Sequence, residues 1–204
     1  MSKAVMISIK PKWCELIANG KKTIEVRKSR PKIETPFKCY IYCTKFKDIH
    51  IDMFLNYDET EKKTYICNGK VIGEFVCDKI DYFSFSDSEW AYSVAPPGSV
   101  MPMNEDKAIK IMENKGCLTV DDIVSYFGDE DYKAYFWHIS DLKIYDKPKE
   151  LSEFKKINRD CWYADLGLAK RDCHECKNAD CFFKRPPQSW CYVEMEAESN
   201  DKLR

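Results

Sequence analysis

The densest chemistry in the chain lies in one run, Gly20-Lys21-Lys22-Thr23-Ile24-Glu25-Val26-Arg27. A glycine there ends a helix, and a strand at once presents lysine, glutamate and arginine. With a side-chain period of two, Glu25 and Arg27 share one face, Ile24 and Val26 take the other, and Lys22 stands at the strand's mouth. One carboxylate among cations suits a polar, partly anionic ligand. Arginine offers a planar fork of donors, and glutamate accepts from an exocyclic amine. The competing reading is a ladder of surface ion pairs, which contributes little to stability. Spacing alone favours the ladder.

Cysteine is the second signal. Of eleven cysteines, Cys14, Cys39, Cys43, Cys67, Cys77 and Cys117 are scattered, mostly among apolar neighbours, and read as small buried hydrophobes. Five fall in the last 44 residues: Cys161, Cys173, Cys176, Cys181 and Cys191. Cys173-x2-Cys176 is a knuckle whose thiolates can converge on one ion, and Cys181 adds a third soft ligand. Four such ligands suit a tetrahedral structural zinc. Cys161 is the expected fourth ligand, because Cys191 falls in the last strand and is the alternative. An iron–sulfur cluster or unligated thiols are the rival readings. His174, inside the knuckle, is expected to face solvent. No Cys/His/Asp arrangement suggests a cysteine nucleophile. His50 and His138 have no catalytic partner, and His138 reads as structural.

The elements that must position these groups follow from length and pattern. The chain has 204 residues, 44% of them apolar, which suits a single domain (1–204) with insertions at 86–130 (helical) and 161–181 (cysteine-rich). Its net charge of −1 is polarised: residues 1–48 hold twelve basic and four acidic side chains, or +8, leaving −9 for the rest. A basic first quarter is an electrostatic reason to expect an anionic partner. No membrane segment or secretory signal is legible, so a cytoplasmic location is expected.

Ala4–Ile9 reads as a strand. Pro11 opens a helix whose apolar face is Trp13, Leu16 and Ile17, stopped at Gly20. Thr23–Val26 and Phe37–Thr44 read as strands, and 45–64 as loop or short helix. Asn68-Gly69 between two β-rich arms predicts a type I′ hairpin, the second arm running to about Phe85. Residues 86–103 read as a long loop. Asn104 caps a helix to about Asn114, closed by Gly116, and Thr119 with Asp122 forms a capping box for another ending near Gly128. Tyr135–Tyr145 is a strand stopped by Lys147-Pro148, and Ser189–Glu194 is the last strand. The pattern is α+β with a mostly antiparallel, barrel-like sheet.

The sequence resembles the ASCH (ASC homology) domain family, relatives of the PUA RNA-binding fold, with the look of a bacterial or prophage-encoded member. Ile7–Arg27 carries the strand, helix and Gly-x-Lys-x-x-Glu-x-Arg pattern. Lys70-Val71-Ile72-Gly73-Glu74-Phe75, Trp137–Pro148 and the ending Pro186–Val193 support it. The resemblance implies a small β-barrel with peripheral helices and a cleft lined by the motif strand. It implies that RNA, a nucleotide or a modified nucleoside binds there, through Lys10, Lys22, Glu25 and Arg27, with Glu74 as a further candidate. Trp13 and Trp190 offer stacking faces, although Trp13 on the apolar helix face reads rather as core.

Some small relatives are amidohydrolases of acylated cytidines with a threonine nucleophile on this strand. Lys22 matches their lysine, but Glu25 stands where the threonine would be, and a carboxylate is a poor substitute for an alcohol that forms an acyl intermediate. Glu25 as a general base, with Lys22, is the catalytic alternative, for modified nucleosides or RNA. A protein-interaction module with a basic face is the third reading.

Overall fold

The computed structural model describes residues 3–45, 54–58, 63–85, 105–128, 132–157 and 181–195. Among them lie ten strands: β1 (Lys3–Ile9), β2 (Ile24–Arg27), β3 (Phe37–Cys43), β4 (Phe54–Asp58), β5 (Lys63–Ile66), β6 (Lys70–Cys77), β7 (Ile80–Phe85), β8 (Tyr132–His138), β9 (Ser140–Glu150) and β10 (Trp190–Glu194). Three helices join them: α1 (Pro11–Ala18), α2 (Glu105–Asn114) and α3 (Val120–Phe127). No helix among the described residues is long and apolar enough to cross a membrane.

The α+β class holds, but the sheets do not close into the expected barrel. A five-stranded sheet runs β10-β1-β3-β6-β9, a three-stranded sheet runs β2-β8-β7, and β4 pairs with β5. Only β1 and β3 are parallel; the other pairings are antiparallel. The large sheet is covered on both faces, which is why β1 reads as a continuous apolar run instead of alternating. Val5, Ile7 and Ile9 face a core shared with α1, Ile80 and Trp137, where the two sheets pack together. Ala4 and Met6 face a second core with Leu151, Phe154 and Phe183.

The small sheet has one apolar face, where Ile24, Val26, Phe83, Ala134 and Phe136 meet Ala108 and Met112 of α2 and Ile123 and Phe127 of α3. Burying that face turns Glu25 and Arg27 to the other side. The period-two reading of the motif strand therefore stands, and so does the capping box: Thr119 Oγ1 accepts from the Asp122 amide at 3.1 Å, while Asp122 accepts from the Thr119 amide.

Five local expectations are corrected. Residues 54–58 form a strand within the segment read as loop or short helix. The Asn68-Gly69 turn exists, with the Lys70 amide bonded to Cys67 O at 3.1 Å, but it is not a hairpin. Gly69 has φ +83° and Asn68 is not in the left-handed region, as in a type II turn. The arms then diverge, β5 to β4 and β6 to β3 and β9. The second arm also divides into β6 and β7, in different sheets. Likewise Tyr135–Tyr145 is not one strand: β8 and β9 break at Ile139 and join different sheets, with Asp141 at φ +45°. Nor does Pro148 stop β9, which runs on to Glu150. It is an edge strand, where a missing amide donor is tolerated. Residues 86–103 and Asn104 lie outside the described residues.

At Gly73 the backbones of β6 and β9 approach closely. A Cβ there would sit 2.4 Å from Lys143 O and 3.1 Å from Ile144 Cα, both backbone atoms. Gly73→Ala should therefore lower stability by about 1–3 kcal/mol through forced strand displacement, read as a fall in Tm.

Candidate ligand cleft

α1, β2 and α3 enclose a cleft of about 370 Å³. The α1-to-β2 link is short and tightly bonded: Gly20 adopts φ +70°, and the amides of Lys21 and Lys22 both donate to Leu16 O at 2.9 Å. The turn after α2 then latches the start of β2, because Lys115 O accepts from the amides of Thr23 and Ile24. Gly116 allows that turn; a Cβ on it would meet Met112 O at 2.5 Å.

On this frame the floor of the cleft holds three buried charged groups. Lys22, Glu25 and Arg27 are only 2%, 6% and 8% exposed. Lys22 Nζ donates to Gly116 O at 2.6 Å and lies 3.5 Å from Glu25 Oε2. Arg27 Nε is 3.0 Å from Glu25 Oε1 as an ion pair, without hydrogen-bond geometry. The Arg27 fork reaches the large sheet's strand β1, donating from Nη2 to Ser8 O at 2.6 Å, and from Nη1 to Ser189 Oγ at 3.3 Å. Such burial excludes the solvated ion-pair ladder. It leaves Glu25 Oε2 with no hydrogen bond although it is out of water, which is a costly state for a carboxylate oxygen.

Lys10, Lys22, Glu25 and Arg27 all line the cleft, so the four principal motif residues are brought together. Trp13, read as core, lines it too. Cys14 and Ile17 are fully buried in α1, and Trp13 is partly buried, packing against the same core while its other side lines the cleft. Lys12 Nζ lies 4.3 Å and Lys22 Nζ 5.2 Å from the Trp13 ring centroid. The opposite wall is Leu118, Asp122, Ser125 and Tyr126. None of these was a candidate. The spacing of Asp122, Ser125 and Tyr126 does mark one face of α3, but nothing in the sequence says which strand that face meets.

Burial pushes the Tyr126 phenol up, Arg27 opposing and Glu25 adding, so it stays a donor at neutral pH. For Asp122 burial acts upward too, but the Thr119 hydrogen bonds and Lys12 outweigh it and hold the carboxyl below its ordinary value.

The ASCH domain family model matches residues 7–159, three quarters of the chain. The chain belongs to the ASCH family. ASCH domains are generally RNA-binding and PUA-like. Among solved structures, ASCH from Zymomonas mobilis is similar at 17% identity and a TM-score of 0.48, covering 94% of this chain and 87% of that one. Two mutant proteins of the same Zymomonas mobilis ASCH, one with a tyrosine replaced by phenylalanine and one with a serine replaced by alanine, each give 16% identity and a TM-score of 0.44. They cover 94% of this chain and 90% and 88% of their own. No curated protein matches the sequence.

In this ASCH domain two candidates stand apart from the cleft lining. Glu74, on β6, accepts from Tyr145 at 2.7 Å and Lys38 at 3.0 Å. Trp190 donates to Ser29 Oγ at 3.0 Å and packs against Trp137 and Tyr192, with centroids 6.0 and 5.6 Å away. Burial raises the Glu74 carboxyl, but the Tyr145 and Lys38 hydrogen bonds prevail and hold it low. Its contribution to stability is complete above the ordinary carboxylate range, about 4, and is lost as pH falls through the lower folded value. Glu74→Gln should lower Tm at pH 7 and shrink the difference in Tm between pH 7 and pH 3.

His138 is bonded through Nε2 to Asp81 Oδ2 at 2.8 Å, a partner the sequence did not reveal. Of the cysteine set, Cys161, Cys173 and Cys176 lie outside the described residues, as do His50 and His174. Cys181 is buried. Cys191 sits in β10 opposite Met6, and burial pushes its thiol to about 11. No group of three metal-ligating side chains occurs among the described residues.

Proposed function

We propose that this ASCH domain binds RNA by taking one base into the cleft, where Glu25 accepts a hydrogen bond from an N–H of the base. The observation that carries this reading is Glu25, a residue of the cleft lining whose Oε2 has no hydrogen bond, so that a small side-chain shift would offer it to a base. Lys22 and Arg27 balance its charge, and a base edge would supply the missing donor without adding charge to the floor. Trp13 supplies an aromatic face beside it. A base that stacks there displaces the exposed Lys12 side chain, while Lys22 stays on Gly116 O.

Stacking of one base is worth about 1–3 kcal/mol, so Trp13→Ala should weaken binding of single-stranded RNA by roughly 5- to 150-fold. Calorimetry on variants with a native circular-dichroism spectrum measures this. Unchanged affinity in both Trp13→Ala and Glu25→Gln would overturn the reading.

The hydrolase reading draws on Lys22 and Glu25 standing 3.5 Å apart in the same cleft. It ranks second because Glu25 stands where the amidohydrolase relatives carry a threonine nucleophile, and the neighbouring Thr23, the hydroxyl just before the strand, is exposed and not among the lining residues. Turnover of acylated cytidines or labelled RNA that disappears in Glu25→Gln would promote it. The zinc site remains a proposal on Cys161, Cys173, Cys176 and Cys181, with Cys191 as the alternative ligand. Elemental analysis should find about one zinc per chain, lost in the Cys173→Ser, Cys176→Ser double variant.

A further inference from the structure

The floor of the cleft is badly suited to a phosphate. Its two cations are committed, Lys22 to Gly116 O and Glu25, Arg27 to Ser8 O, Ser189 and Glu25. A phosphate lodged there would also face a buried carboxylate. Yet the first quarter of the chain carries +8, and most of that charge is elsewhere.

Three exposed lysines stand at the cleft's rim. Lys10 lines it directly. Lys12 is 61% exposed and reaches Asp122 Oδ2 at 3.5 Å, on the α3 wall. Lys28 follows β2, and its Nζ lies 5.2 Å from the ring of Tyr126. Asp122 and Tyr126 are four residues apart on α3, one turn, or about 6 Å along its axis. Lys12 and Lys28 therefore mark two successive points along one wall of the cleft, with Lys10 beside Lys12 at the start of α1. The Lys12–Asp122 pair is solvent-exposed and so worth little; Lys12 can exchange Asp122 for a phosphate at small cost.

We infer that the cleft takes an internal nucleotide of a continuing single strand, whose phosphates pass over Lys10, Lys12 and Lys28. The ligand class is thus a single-stranded oligonucleotide and not a free nucleoside or mononucleotide. This rests on the base-in-cleft reading and adds a second, separable component: uncharged recognition inside, phosphate contact outside.

The test is a set of titrations with a nucleoside, its 5′-monophosphate and a short single-stranded RNA across a salt series. Each phosphate contact contributes about −0.7 to the slope of log K against log salt for single strands, so the RNA should show a slope of about −2. It should also bind more tightly than the monophosphate. Lys10→Ala, Lys12→Ala and Lys28→Ala should each reduce the slope by about 0.7, with melting temperatures unchanged. A nucleoside that binds as tightly as the RNA, or a slope unmoved in all three variants, would overturn the rim while leaving the cleft reading in place. Failure of all three ligands to bind would remove both.

Discussion

Glu25→Ala should be the most damaging single substitution in the cleft, costing about 3–5 kcal/mol of stability, the range for breaking a buried ion pair by deleting one partner. The carboxylate is the common counter-charge of two cations that are themselves 2% and 8% exposed. Removing it leaves two like charges buried together without their shared counter-charge. Total stabilities of domains this size are about 5–15 kcal/mol, so the variant should lose a large part of its margin, visible in a urea titration as a lowered midpoint. Glu25→Gln keeps the shape and an acceptor oxygen and should be less severe. It is the variant in which binding can be measured without unfolding. A midpoint for Glu25→Ala within experimental error of the parent would mean the floor is hydrated and not buried.

Arg27→Ala should follow closely, at the lower end of the same range. Its Nη2 bond to Ser8 O and Nη1 bond to Ser189 Oγ tie the small sheet to the segments that bound the large one. Deleting the side chain strands Ser8 O, but Glu25 keeps Lys22 at 3.5 Å, so the residual charge is not unopposed. The double variant Glu25→Ala, Arg27→Ala should therefore cost clearly less than the sum of the two singles. The cycle should give a coupling of about 1–3 kcal/mol. Arg27→Lys should not restore the parent stability, because a single ammonium cannot span both acceptors with the guanidinium's fork. Additive losses would show that the two side chains act independently and that the triad is not an electrostatic unit.

The motif strand was legible because its signal is local. Alternation decided which side of β2 Ile24 and Val26 occupy, and the capping box decided where α3 begins. What was not legible depends on partners distant in sequence. Asn68-Gly69 fits a hairpin turn by composition, yet β3, far earlier in the chain, is the better partner for β6 across a buried sheet. The strand from Tyr135 onward has no internal break in its pattern; only its two sheets require one at Ile139. Trp13 packs against the core, as its place on the apolar helix face predicted, but it also lines the cleft, which helix periodicity cannot show. The α3 wall, including Tyr126, could not be found at all, since an amphipathic helix states that it covers something and not what.

β1 pairs with β10 from Lys3↔Glu194 to Ile7↔Trp190, and Arg27 finds one of its acceptors in Ser189. The N-terminal strand and the motif are made first, and their partners follow at least 162 residues later in the chain. Contacts at such separation form late and slowly. A ribosome-bound chain that stops short of residue 189 therefore carries the whole recognition motif without a finished cleft. Its basic quarter is already present, while the pocket that this charge surrounds closes only once residues 189–194 have joined β1 and Arg27.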